Sequence, residues 1–184
     1  AGRRIDVQPW YNEQSANLEE WKKYAERSGT LVPPYSSDFF VLPFSSKIFN
    51  NMPKLVVGRK GWDNWMMFQA RNLSIPLIDG TEVIVTIHRI HDYSHIKDGK
   101  SNIINPWEGS ESRKQMESFG NHQAGLNSAT HYITREKEVF PVQKGIKWFL
   151  DECMFRSKKA NTKTEKIFWQ IIRKCCKLIF MPSN

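Results

Sequence analysis

The segment that most restricts the fold is residues 62–73. Trp62, Trp65, Met66, Gln69, Ala70 and Leu73 recur at the spacing of one face of an α-helix, with Gly58 and Gly61 just before it. Around it lie apolar runs too short to be helices. Asp38-Phe39-Phe40-Val41-Leu42, closed by Pro43, and Leu55-Val56-Val57 precede it; Ile75-Pro76-Leu77-Ile78 and Val83-Ile84-Val85-Thr86-Ile87 follow. Each predicts a strand, the last two separated by the turn signal Asp79-Gly80. Strands interleaved with helices over 38–95 predict an α/β class, a mixed sheet flanked by helices.

Outside this stretch, residues 12–28 predict a helix. Asn17 and Glu20 have capping-box spacing, Leu18, Trp21 and Ala25 share a face, and Gly29 with Pro33-Pro34 ends the segment. Residues 96–112 read as a polar loop anchored by Trp107. The remainder reads as mostly helical. Ile146, Phe149, Leu150, Cys153 and Met154 form one stripe; Ile167, Ile171, Cys175 and Leu178 form another, joined by the charged link Lys158–Lys163.

Charge divides the chain. Of the net +8, residues 144–184 hold ten Lys/Arg against three Asp/Glu, and residues 1–143 hold seventeen against sixteen. This suggests an α/β portion at 1–143 and a basic helical extension at 144–184. A nearly neutral body argues against a broad nucleic-acid surface. The extension reads first as two core-packing helices with solvated lysines. The other reading is a basic amphipathic surface for anionic membrane or nucleic acid, with Cys175 to Phe180 as its apolar edge. No apolar run spans a bilayer and no secretory h-region follows the first arginines, so a cytoplasmic protein, at most membrane-peripheral, is the expectation. Cys153, Cys175 and Cys176 read as reduced thiols.

Two constellations could carry chemistry. In Gly58-Arg59-Lys60-Gly61-Trp62-Asp63-Asn64-Trp65, a glycine-flanked loop opens the helix and sets a carboxylate in its first turn. There the helix dipole favours the ionised form, which can accept a proton or hydrogen bond from a sugar hydroxyl. Trp62 and Trp65 offer flat faces for a sugar ring. The competing reading is a helix-capping Asp63 beside two core tryptophans. In His88-Arg89-Ile90-His91-Asp92-Tyr93-Ser94-His95, three imidazoles follow a strand end, where α/β proteins bind ligands. They could hold a metal or a diphosphate, with Arg89 adding positive charge. Ser37-Asp38, before its strand, is a weaker signal. GxSxG, GxGxxG, P-loop and DxD motifs are all missing; Asp6-Val7-Gln8 comes nearest to the last.

As an ordered set, Ser37 to Pro43, Val57 to Met66, Ile75 to Thr81 and Ile87 to His95 resemble uncharacterised glycosyltransferase-like proteins of the nucleotide-diphospho-sugar transferase (GT-A) superfamily. Gly2 to Asp6 and, more loosely, Asn121 to His131 fit the flanks, so the convincing match covers about a third of the chain. The resemblance implies the C-terminal, acceptor-side part of a GT-A fold. It implies Asp63 as general base, and Asp38, Arg59, Trp62, Asn64 and Trp65 as substrate-binding residues. His88, His91 and His95 would hold a divalent metal, Mn or Mg, or the diphosphate. The implied activity is sugar transfer from a nucleotide sugar to a glycan or other hydroxyl acceptor. Such enzymes carry a DxD within an N-terminal nucleotide-binding half. The expectation is therefore that this chain is the C-terminal portion of a larger protein, or has lost donor binding, and is silent alone. The alternative is a non-catalytic carbohydrate-binding or interaction module on a degenerate scaffold. Two placements follow: Asp63 faces a cleft, and the His88–His95 segment approaches it.

Overall fold

The computed structural model describes residues 1–10, 16–55, 61–92, 94, 111–119 and 123–180. Its centre is the helix α2, Trp62–Asn72. The sequence pattern gives this helix one apolar face, but the structure buries it on two sides. Met67 and Phe68 pack with Leu77, Leu126, Ala129 and Phe155. Trp65, Met66 and Ala70 pack with Ile48, and Phe40 touches both clusters. Burying side chains of this size contributes roughly 1.5–3 kcal/mol each, so α2 is the element that joins the core.

The strands form two small mixed sheets rather than one. In the first, β1 (Arg4–Val7) lies between β2 (Thr30–Leu31), antiparallel, and β4 (Thr86–Arg89), parallel. In the second, β3 (Ile78–Asp79) pairs in parallel with β5 (His131–Ile133), which pairs antiparallel with β6 (Val139–Pro141). Ala1 joins them, because the Gly80 N–H donates to its carbonyl at 2.8 Å just upstream of β1. Helix α1 (Leu18–Ser28) packs on the first sheet and starts with the expected capping box. Asn17 Oδ1 accepts from the Glu19 and Glu20 N–H groups, and Glu20 Oε2 accepts from the Asn17 N–H.

Several expected strands are corrected. Asp38–Leu42 makes only a bridge between Phe39 and Gly2. Its Val41 is 76% exposed while Phe40 turns into the core, so the run buries one ring instead of pairing along its length. The run at 75–78 keeps only Ile78 in a strand, and the run at 83–87 starts pairing at Thr86. The Asp79-Gly80 turn forms, with Asp79 Oδ1 accepting the Thr81 N–H at 2.9 Å. Val56, Val57 and Trp107 lie outside the described residues. The expected helical remainder is broken by the β5–β6 hairpin.

Helices α3 (Glu111–Phe119), α4 (Ile146–Lys159) and α5 (Lys163–Phe180) complete the fold. Helix α4 enters the core through Phe155, and its Glu152 pairs with Arg71 of α2. Helix α5 packs along α4. Among the described residues no helix is long and apolar enough to cross a membrane.

Candidate functional site

Strand β1 alternates charged and apolar residues, so Arg4 and Asp6 share one face while Val7 is buried on the other. The parallel register sets His88 of β4 opposite Asp6. Asp6 Oδ1 accepts from Arg4 Nε at 2.6 Å and lies 3.0 Å from His88 Nδ1. Arg4 Nη1 donates to Asp38 Oδ1 at 2.8 Å. The His91 ring stands edge-on to His88, with centroids 5.6 Å apart. The result is one polar chain, His91–His88–Asp6–Arg4–Asp38, near the carboxyl ends of two parallel strands. Burial works against the Arg4 charge, but its hydrogen bonds to Asp6 and Asp38 outweigh it and hold the guanidinium protonated more firmly.

Asp63 stands next along this chain. Gly61 precedes α2 at φ 94°, a left-handed conformation that glycine adopts without steric cost. That entry puts Asp63 in the first helical turn, where Oδ2 accepts the Ser37 N–H at 3.2 Å. Ser37 is itself buried, its Oγ donating to the Gly2 carbonyl at 2.8 Å. Asp63 is thus anchored to the residue beside Asp38. Burial raises its proton affinity above that of an ordinary aspartate; hydrogen bonds from the backbone of Ser37, Asn64 and Asp63 itself oppose this, and the Asp38 charge adds to it. Among the described residues Asp63 has no cationic partner.

No protein-family model, curated protein or solved structure matches the chain.

The sequence-predicted residues separate into groups. Asp38, His88 and His91 share the polar chain, and Asp63 borders its Asp38 end through Ser37. Trp62 is half-buried, its ring edge-on to Phe40 at 5.2 Å. Trp65 is 4% exposed and packs in the core, so it presents no face to a ligand. Asn64 spends both amide protons on carbonyls, Tyr35 at 2.7 Å and Ala124 at 2.9 Å, clamping two loops onto α2. Arg59 and His95 lie outside the described residues. Among the described residues, three cavities border α4 and α5. Asn64 lines one of them; Asp63, His88 and His91 line none.

Arg4 and Asp6 are the site residues that sequence reasoning missed. Their signal was the charged-apolar alternation Arg4-Ile5-Asp6-Val7, the pattern of a half-buried strand. The donor set does not suit a metal by itself. Asp6 Oδ1 already serves Arg4 and His88, and among the described residues no three His, Cys, Asp or Glu side chains converge to hold an ion.

Proposed function

We propose that this chain forms the acceptor side of a glycosyltransferase that uses a nucleotide-sugar donor. The observation that carries the reading is Asp63. It is a desolvated carboxylate at a helix start, with no cation beside it among the described residues and its proton affinity raised. A general base works best when its pKa approaches the working pH, and burial next to a second carboxylate moves Asp63 in that direction. A purely capping aspartate is expected to move the other way, because backbone N–H donors and the helix dipole favour the charged form.

In this reading Asp63 takes the proton of the acceptor hydroxyl as its oxygen bonds to the anomeric carbon of the donor. The bond from that carbon to the diphosphate breaks, and its electron pair leaves with the diphosphate. His88 is oriented by Asp6 at Nδ1, so Nε2 is the nitrogen left to meet a ligand; in the imidazolium form it donates to a diphosphate oxygen. Arg4 fixes both Asp6 and Asp38, and in this reading Asp38 accepts a second sugar hydroxyl.

Saturation-transfer NMR with a panel of mono- and oligosaccharides tests acceptor recognition. The expected result is a saccharide signal that Asp63→Asn removes while the variant stays folded. A panel that gives no signal, or signals indifferent to that change, overturns the reading.

A further inference from the structure

Helices α4 and α5 enclose an open cavity of about 790 Å³. Five cations line it: Lys158 from α4, and Lys166, Arg173, Lys174 and Lys177 from α5. Among the described residues no carboxylate does. The acidic residues of the same helices line other cavities, Glu152 and Glu165 one against Arg71, Asp151 another beside Asn64. Lys158 also borders the cavity of Asp151, while the four α5 cations Lys166, Arg173, Lys174 and Lys177 converge on the first cavity.

Such convergence is unfavourable unless an anion occupies it. Lys158 registers this, its proton affinity lowered first by burial and then by Arg173. Two of the cations are also fixed in place. Lys158 Nζ donates to the Gln123 carbonyl at 2.9 Å and Arg173 Nε to the Leu150 carbonyl at 3.2 Å, which leaves further N–H donors on each.

The outer face of α5 is apolar. Ile167, Ile171 and Leu178, with Phe168, Cys175 and Ile179 beside them, recur at helical spacing and are exposed, Ile171 by 55% and Leu178 by 73%. The α4-facing side is taken by residues such as Trp169, whose ring lies 5.0 Å from the Arg156 guanidinium. Lys174, three residues after Ile171 and four before Leu178, stands at the border between apolar strip and basic cavity.

We propose that α5 docks onto an anionic phospholipid surface, its apolar strip in the acyl boundary and a lipid phosphate in the basic cavity. An apolar strip bordered by cations is the pattern of an interfacial helix. Nucleic acid would satisfy the cations but not the strip. A second copy of the chain would cover the strip while bringing two clusters of cations together. The proposal goes beyond the reading of Asp63 and does not depend on it.

Cosedimentation of the full chain with vesicles tests it. Binding is expected with phosphatidylcholine containing phosphatidylserine or a phosphatidylinositol phosphate, not with phosphatidylcholine alone, and it weakens as salt rises. The triple change Lys166→Gln, Lys174→Gln, Lys177→Gln weakens it on the order of 10²-fold. Phe168→Ser with Ile171→Ser and Leu178→Ser abolishes it while circular dichroism shows the helices retained, because these side chains are more than half exposed. Failure to bind any vesicle overturns the proposal, as does full binding by the serine variant. So does tighter binding to duplex RNA or DNA than to anionic vesicles, or a dimer in light scattering that only the serine variant breaks.

Discussion

Replacing Asp63 by Asn removes one negative charge and keeps an oxygen that can accept the Ser37 N–H. Two effects oppose each other. Loss of an anion from the first turn of α2 costs about 0.3–1 kcal/mol through the helix dipole. Relief of the buried charge works the other way. Because burial raises the Asp63 proton affinity despite three backbone donors, desolvation is the larger effect. The sign in pH follows from proton counting. The unfolded carboxyl titrates near 3.8 and the folded one above it, so between the two the native state holds more protons than the unfolded state. The stability contributed by Asp63 is full below 3.8, falls as pH rises through the folded pKa, and stays low at neutral pH. Each tenfold gain in proton affinity corresponds to about 1.4 kcal/mol. Asp63→Asn lacks this loss, so it should match or exceed the wild type in stability at pH 7 and lose that advantage at pH 3.5. Urea unfolding of both proteins at the two pH values measures it. A variant clearly less stable at pH 7, with the gap closing in acid, would mean that the carboxylate is a cap with a depressed pKa, and the argument for a base would fail.

Glu152→Ala should cost about 3–5 kcal/mol, because it strands Arg71, whose side chain is 9% exposed against 13% for its partner; urea midpoints measure the loss. Gly61→Ala should cost about 1–3 kcal/mol from its φ of 94° and weaken saccharide binding by shifting Asp63; thermal melts and NMR titration check both effects. Lys137 sits at φ 65° in the turn between β5 and β6, so Lys137→Gly should stabilise by up to about 1 kcal/mol in the same melts.

The sequence was legible where local rules act alone. Asn17 and Glu20 mark the start of α1, and the stripes at 146–154 and 167–178 mark α4 and α5. Helix α2 was legible in extent but not in surroundings, since Met67 and Phe68 break a one-faced pattern by burying a second side. Strand β1 was missed because four residues with two charges make no apolar run. The hairpin was missed because Tyr132, Val139 and Phe140 are exposed and give no alternation. At the site, Asp63 and His88 were legible from the glycines and the strand end that precede them. Asp6 was not, because its contact with His88 joins positions 82 residues apart, and only the parallel pairing of β1 with β4 creates it.

The measurement that bears most directly on the account is a carbon-13 NMR titration of the Asp63 side-chain carboxyl, with and without the saccharide panel. The account predicts a free-protein pKa above the ordinary 3.8 and a titration that moves when an acceptor sugar is bound. A carboxyl that titrates at or below that value, unmoved by every sugar, would contradict it.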